Sequence, residues 1–378
     1  MKKDENIVSV ILPHTKLKKL SMNRLVGFCP FCKAHSPTFF VSWKKQSFHC
    51  FHCGKGGDAE KFASLIAANS VKRENVDHAA SNLLADATSF FASNAGGLEY
   101  FRSRGLSEDT MRKFNLGYAP KGSKLLSFLK QRGYSEENLL SIGLIKKNEK
   151  EECYDSFRNR VIFPIFNESD EVIGFGGRVL DDSKPKYLNS SESDVFAKKK
   201  NLFALNFAKK SNKDFFILTE GYMDVIALHQ AGFDNAVASL GTALTEEQAN
   251  LLARYVTTVV VAYDSDDAGR RATLRAIDVL DKAGLKVKIL TLPEGSKDPD
   301  ELMQTTAGIQ LFQRCIDTAE DSFLYLLQQI RKKYDESDEK EMKTFLRECA
   351  MLIDGAEDRP VSQNIYAKVA VKFWEGLV

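Results

Sequence analysis

Four apolar runs set the rhythm of the second half of the chain: residues 215–219 (FFILT), 235–239 (NAVAS), 257–263 (TTVVVAY) and 286–292 (KVKILTL). Amphipathic stretches beginning near Tyr222, Thr245 and Ala268 separate them. Short apolar strands alternating with helices predict a mainly parallel sheet covered on both faces. Upstream, residues 161–166 (VIFPIF) and 172–175 (VIGF) predict two more strands, with helices over 97–104 and 108–114 and turns at Gly105 and Gly117. The first 66 residues carry shorter alternating pieces, 38–42 and 46–49, which predict strands. A helical pattern follows over 59–68, then a polar linker within 69–78 and a helix over 82–94. After Asp300 the pattern is helical to the end, and no internal repeat or low-complexity tract occurs.

A chain of 378 residues predicts two or three compact units. Apolar content of 43% and charged content of 28% exclude a mainly disordered or fibrous protein. No stretch approaches 18 uninterrupted apolar residues, and the apolar run of the charged amino terminus is broken by Pro13 and His14. A signal peptide and a membrane span are therefore not expected, and the expectation is a cytoplasmic protein. The formal net charge of +2 announces no nucleic-acid partner by itself. Locally, however, the segment from Lys184 to Lys213 holds eight lysines against Glu192 and Asp194, the composition of a groove that tracks phosphates.

Cysteine usage changes the picture further. Cys29-Pro-Phe-Cys32 and Cys50-Phe-His-Cys53 form two C-x2-C pairs separated by 17 residues, the spacing of a zinc ribbon. Two such turns brought together by a hairpin give a closed tetrahedral thiolate site, which is structural. His49 and His52 could each substitute as ligands, but the four cysteines alone give two symmetrical pairs. His35 reads as a loop residue, and the isolated Cys153, Cys315 and Cys349 read as packing residues. Phe28, Phe31, Phe39, Trp43 and Phe48 exceed what so small a core needs, so some are candidates for stacking on bases.

Acids close three of these four strands. Glu220 follows FFILT, Asp264 and Asp266 follow TTVVVAY, and Asp298 and Asp300 follow KVKILTL. Open α/β sheets present their functional groups at these carboxyl ends. Convergent carboxylates repel unless a cation is present, and hard oxygen ligands at this spacing suit Mg2+ or Mn2+.

Taken together, these motifs are similar to those of the DnaG-type bacterial primases over nearly the whole length. CPFC with FHCFHCGKGGD resembles the family's zinc ribbon, in which the second ligand is commonly His where this chain has Cys32. YDSFRNRVIFPI, GFGGR and PKYLNS resemble its basic primer-template groove. LTEGYMDVIALHQAGFDNAVASLGTALT, VVAYDSDDAGRRA and DPD resemble the Toprim catalytic centre that topoisomerases and some nucleases share.

The resemblance implies a multidomain α/β chain: a small β zinc ribbon (1–80), a mixed α+β basic subdomain (81–212), a Toprim parallel-sheet domain (213–303) and a helical segment (304–378). It implies Glu220, Asp264, Asp266, Asp298 and Asp300 as metal-binding acids, the first three catalytic, with Asp224 in support. Arg158, Arg160, Arg178, Lys186, Tyr187, Asn189 and Lys198 would hold template or nucleotide phosphates. Zn2+ and Mg2+ or Mn2+ are the implied cofactors, and single-stranded DNA and ribonucleoside triphosphates the implied partners. The expected activity is metal-dependent synthesis of short RNA primers. The 78 residues after Asp300 have room for a helical tail but not for the family's helicase-binding domain, which leaves a helicase partner open. Two rivals are a topoisomerase or Toprim nuclease, for which no strand-passage segment is evident, and a non-catalytic zinc protein that binds single-stranded DNA.

Overall fold

The computed structural model describes residues 6–21, 23–32, 37–241, 243–334 and 338–354, with the backbone alone over 68–78. His35 and residues 355–378 lie outside the described residues. The chain divides into two compact units, 1–80 and 81–378.

In the first unit a short helix α1 (Ile7–Ile11) precedes five antiparallel strands in sequential order: β1 (Leu17–Ser21), β2 (Arg24–Gly27), β3 (Phe39–Ser42), β4 (Ser47–Cys50) and β5 (Gly56–Gly57). Alternation decides which side chains go in. Phe39 and Val41 of β3 and Phe48 and Cys50 of β4 face a core completed by Ile7, Ile11 and Phe62. Phe62 belongs to α2, a single helix from Ala59 to Ser93. The linker expected within 69–78 is thus helical backbone.

The second unit begins within α2 and continues through α3 (Leu98–Ser103), α4 (Glu108–Lys113), β6 (Gly117–Ala119), α5 (Lys124–Gln131) and α6 (Glu136–Ile142). A hairpin, β7 (Ile145–Lys147) with β8 (Cys153–Asp155), leads into β9 (Arg160–Phe166), β10 (Val172–Val179) and β11 (Tyr187–Asn189). These form an antiparallel sheet ordered β11-β10-β9-β6, and every residue of β9 is buried. Gly117 stands in a strand and not in the expected turn. A side chain there would place Cβ 2.5 Å from the Phe91 carbonyl carbon, so glycine is what lets β6 lie against the end of α2.

After α7 (Leu205–Ala208) the rhythm becomes β12 (Phe215–Thr219), α8 (Tyr222–Gln230), β13 (Ala236–Ala238), α9 (Glu246–Leu252), β14 (Thr258–Val261), α10 (Asp267–Lys282) and β15 (Lys286–Ile289). The sheet order is β13-β12-β14-β15, all parallel, with β16 (Glu320–Asp321) added antiparallel at the edge. Both faces are covered, as the unbroken apolar runs require. Ile217 and Val260 pack with Val225, Ile226 and Phe312 on one side. Phe216, Leu218, Val259 and Val261 pack with Ile277 and Leu280 on the other. Beyond the sheet come α11 (Pro299–Leu302), α12 (Thr306–Asp317), α13 (Ser322–Arg331) and α14 (Glu339–Asp354), with β16 interrupting the expected all-helical run between α12 and α13. Cys349 is buried, and Cys153 and Cys315 are half-buried.

One buried histidine joins the two halves of this unit. His229 of α8 has Nε2 2.9 Å from the Ala236 carbonyl and Nδ1 3.3 Å from Lys113 Nζ, partners that suit a neutral ring protonated at Nε2. Burial first, with Lys113 adding to it, pushes its pKa down to about 4, against the upward pull of the Ala236 carbonyl and, more weakly, of Asp234. The unfolded chain, titrating near its usual value of about 6.5, binds the proton first as pH falls. The contribution is full above that value and is lost between it and about 4. It is worth on the order of 3 kcal/mol. Urea unfolding at pH 7.5 and 4.5 should show wild type losing more stability on acidification than His229→Gln; equal losses in both proteins would remove this histidine from the pH response.

Candidate functional site

Cys29 and Cys32 lie in the turn after β2, Cys50 ends β4 and Cys53 follows it. Their four sulfur atoms lie within 4.8 Å of one another, with Cys29 to Cys53 and Cys32 to Cys50 each at 3.8 Å. A tetrahedral ion with Zn–S bonds of about 2.3 Å requires sulfurs about 3.8 Å apart. The separation also exceeds a disulfide bond, and all four cysteines are free. Phe31 N–H donates to Cys29 Sγ at 3.4 Å, which turns the first pair toward the ion. Four thiolates this close repel one another and need a cation between them. The cluster fits structural zinc, and neither His49 nor His52 belongs to it.

The aromatic residues of this unit sort by strand alternation. Phe31, Phe39 and Phe48 pack round Phe62 at ring distances of 5.2, 6.2 and 5.3 Å, so these three serve the core. Phe28 and Trp43 are exposed. The opposite face of β3 and β4 presents Phe40 and His49, on which Phe51 closes at 5.2 and 4.7 Å while remaining 72% exposed. Arg24, Lys44 and Lys45 rim this shallow concavity of about 540 Å3. The same period of two that buries Phe39 and Phe48 exposes their neighbours Phe40 and His49, so the signal was present in the sequence.

In the second unit the carboxyl ends of β12 and β14 open on a cleft of about 400 Å3. Glu220, Asp224, Asp264, Asp298 and Asp300 form one wall. The acids are held by backbone donors at helix starts. Asp264 N–H donates to Glu220 Oε1 at 3.2 Å, Gly269 N–H to Asp266 Oδ1 at 2.8 Å, and Glu301 N–H to Asp298 Oδ1 at 2.9 Å. Asp224 accepts from Gly221 N–H at 3.1 Å and Asp300 N–H at 3.3 Å. Burial and then Glu220, Asp298 and Asp266 push Asp264 up to about 6. Burial likewise raises Glu220, and raises Asp224 well above the carboxylate range, with Asp298 and Asp264 adding to the latter.

These acids share a field without forming a closed cage. Among the described residues only the four cysteines bring three or more ligand atoms within 4.8 Å of one another. Asp266 is exposed, caps α10 and stands outside the cleft wall, though its charge reaches Glu220 and Asp264. Asp300 differs most from expectation. It is 1% exposed, and its carboxylate accepts from Arg104 and from Gln304 Nε2.

Arg178, Lys186, Tyr187 and Asn189, on β10, β11 and the loop between them, form the facing wall. Arg178 donates to the hydroxyls of Tyr100 and Tyr187 and lies over both rings. Asn189 donates to the Leu240 carbonyl at 2.7 Å and accepts from Tyr222 Oη at 2.6 Å, bridging the two sheets. Arg160 corrects the sequence reading. It is buried, and three of its five N–H groups donate to the carbonyls of Gly177, Pro185 and Lys186, which holds the guanidinium in the fold and outside the cleft wall. Arg158 is exposed over the Tyr154 ring, and Lys198 lies in a short turn, both outside the cleft wall. Sequence reading missed Arg104, Tyr100, Tyr222 and Lys297. Of these, Tyr222 stands inside the LTEGYMDV motif and Lys297 adjoins Asp298, whereas Arg104 and Tyr100 adjoin no recognised motif.

Comparison with known proteins agrees with this layout. Sequence models match for the CHC2 zinc finger over residues 1–89, the N-terminal domain of the DNA primase catalytic core over 87–209 and a Toprim-like domain over 217–303. The DNA primase of Clostridium acetobutylicum is 42% identical over 397 residues, covering 97% of this chain and 66% of the relative. That of Aquifex aeolicus is 36% identical over 395 residues, covering 98% and 78%. The chain thus spans about two thirds of the length of the first relative. Among solved structures, the zinc-binding and RNA polymerase domains of Aquifex aeolicus primase align with a TM-score of 0.65 at 36% identity, covering 93% of this chain and 90% of that one. A DnaG primase catalytic domain bound to single-stranded DNA aligns at 0.68 and 30% identity, covering 80% and 99%. No helix among the described residues is long and apolar enough to cross a membrane. With a four-thiolate ribbon, a basic antiparallel sheet and an acid-edged parallel sheet in this order, the chain belongs to the DnaG-type primase family.

Proposed function

We propose that this chain is a DNA primase, a DNA-dependent RNA polymerase that makes short RNA primers on single-stranded DNA for replication. The observation that carries the proposal is the cleft in which Arg178 and Lys186 face Glu220 and Asp264. Nucleotidyl transfer needs both signs of charge. Cations neutralise template and triphosphate oxygens, while carboxylates gather divalent metal at the reacting phosphate.

Glu220, Asp264 and Asp266 would hold Mg2+ or Mn2+, with Asp298 beside them on the same wall; such ions supply electrostatic stabilisation of the developing oxyanion and orient the triphosphate. These ions retain several waters, so a few carboxylates spaced more widely than a zinc cage suit them. Arg178 and Lys186 would take phosphate oxygens, and Tyr187, half-exposed over Arg178, would present a ring edge to a base or sugar. Arg158 and Lys198, outside the wall, would contact template at longer range. The reaction joins the 3′ oxygen of one ribonucleotide to the α-phosphorus of the next and releases pyrophosphate. The zinc ribbon would bias where synthesis starts, its stacking platform being Phe40, His49 and Phe51 with Arg24, Lys44 and Lys45 at the rim. We infer a cytoplasmic location from this role in replication. A helicase partner enters the proposal only as a protein that would deliver the chain to its template.

Three outcomes test this reading. Labelled ribonucleotides supplied with single-stranded DNA and Mg2+ or Mn2+ should yield short RNA with wild type. Asp264→Ala should lose several kcal/mol of transition-state stabilisation, on the order of a thousandfold in rate, while still binding DNA. DNA cleavage without incorporation would favour the nuclease alternative, and metal-independent binding alone would favour a non-catalytic protein. Phe51→Ala should weaken single-stranded DNA binding by about 1–3 kcal/mol with the fold intact. Binding as tight as wild type would take this face out of the template path. Elemental analysis should find one zinc per chain, and Cys29→Ser with Cys50→Ser should lose both the metal and the protease resistance of the first unit. A metal-free first unit that resists protease as well as wild type would end the structural-zinc reading.

A further inference from the structure

Asp300 and Arg104 are 196 positions apart in sequence, yet they form an ion pair in which the acid is almost wholly buried and the arginine reaches the cleft. Arg104 caps the end of α3, and Asp300 lies in the first turn of α11. The acid is enclosed by fitted contacts, while the arginine stays partly open to the cleft. Gln304 Nε2 donates to Asp300 Oδ1 at 3.2 Å and to the Arg104 carbonyl at 3.1 Å, tying the two residues through a third. Gly105 makes this approach possible: with φ +76, a Cβ there would stand 2.6 Å from Gln304 Oε1. Arg104 also donates to Tyr100 Oη at 3.1 Å, and the same hydroxyl receives Arg178. On the other side, Asp300 N–H donates to Asp224.

Resting on the primase reading above, we infer that Asp300 is a positioning residue and not a metal ligand. Its pairing with Arg104 fixes the start of α11, and so holds Lys297, Asp298 and Asp224 against the basic wall. Two facts separate it from the other acids. Both of its oxygens already have partners, whereas Glu220 and Asp264 are half-buried at the cleft, and among the described residues their carboxylates share a single hydrogen bond, from the Asp264 N–H to Glu220 Oε1. Withdrawing Asp300 to a metal would strand the Arg104 guanidinium and undo the Gln304 bridge. The network also links the acidic and basic walls through one chain of contacts, Asp224 to Asp300 to Arg104 to Tyr100 to Arg178. A shift of α11 would therefore be felt at the phosphate-facing arginine.

The two roles predict opposite behaviour when mutations are combined. In a buried pair, removing the arginine alone leaves an uncompensated charge, and removing the acid as well relieves it. The full zinc-loaded chain would be prepared as wild type, Arg104→Met, Asp300→Asn, the double variant and Arg104→Lys. Mn2+ binding would be followed by electron paramagnetic resonance without nucleotide, and kcat and KM for ribonucleotides measured separately. Arg104→Met should lower kcat on the order of a hundredfold, the scale of a misplaced reacting group. The double variant should recover at least about tenfold of this and regain thermal stability, and Arg104→Lys should retain part of the rate. Mn2+ affinity of Asp300→Asn should stay within about tenfold of wild type. A double variant slower than Arg104→Met, or loss of about tenfold or more in Mn2+ affinity by Asp300→Asn, would overturn the inference. Because Mn2+ binding and thermal stability need no polymerisation, they decide the role of Asp300 even if wild type makes no RNA, an outcome that would sink the primase reading alone.

Discussion

Carboxylates gathered in one half-buried cleft repel one another, and the rest of the second unit is arranged round that repulsion. Burial and mutual charge raise Glu220, Asp264 and Asp224 together. The fold answers with backbone N–H groups, because each acid lies where a strand gives way to a helix. The starts of α8, α10 and α11 supply donors to Asp224, Asp266 and Asp298. Gly269 shows how closely α10 approaches: an added Cβ would lie 2.1 Å from the Asp264 carbonyl oxygen and 3.0 Å from Glu220 Oε1. A parallel sheet provides several such strand-to-helix junctions along one edge, which is why this architecture can assemble an acid cluster from residues 220 to 300.

The acids do not share this burden equally. Asp300 is neutralised inside the fold by Arg104, whereas among the described residues Glu220 and Asp264 form no ion pair, and Arg275 and Lys297 act on them only at longer range. An inner acid with its own permanent cation can hold geometry, and outer acids lacking one are free to take an exchangeable ion. The basic wall divides in the same way. Arg160 is spent on three carbonyls that shape the loop after β10, and Arg178 is steered by two tyrosine hydroxyls toward the cleft.

Much of this was legible in the sequence, for a physical reason. Unbroken apolar runs and the paired cysteines report short-range constraints, so the strands FFILT, TTVVVAY and KVKILTL, the ribbon and the acids at strand ends could be read from local pattern. What local pattern could not reveal was partner choice over long separations. Arg160 and Arg178 look equivalent in sequence, but one points into a sheet and the other toward solvent. Arg104 follows an ordinary helix, and nothing near it announces an acid 196 positions away. The 69–78 stretch, expected to be a linker, is helical backbone, because polar composition is common to loops and helices alike. Counting aromatics in the ribbon identified a surplus, yet stopped short of applying the two-residue period that separates Phe39 from Phe40.

Near-neutral net charge, finally, is what this chemistry should produce. The chain carries 53 basic and 51 acidic residues, a balance that by itself announces no nucleic-acid partner. A protein that only coats nucleic acid needs net cations, since its affinity comes from phosphate neutralisation. A polymerase site must also concentrate divalent metal, which needs anions a few ångströms from the same phosphates. The two demands cancel in the total and survive only in their separation, with Arg178 and Lys186 on one wall and Glu220 and Asp264 on the other. Whole-chain charge therefore carries little information about such a protein. The informative quantity is the segregation of sign across the cleft, and here it is set by which sheet each side chain stands on.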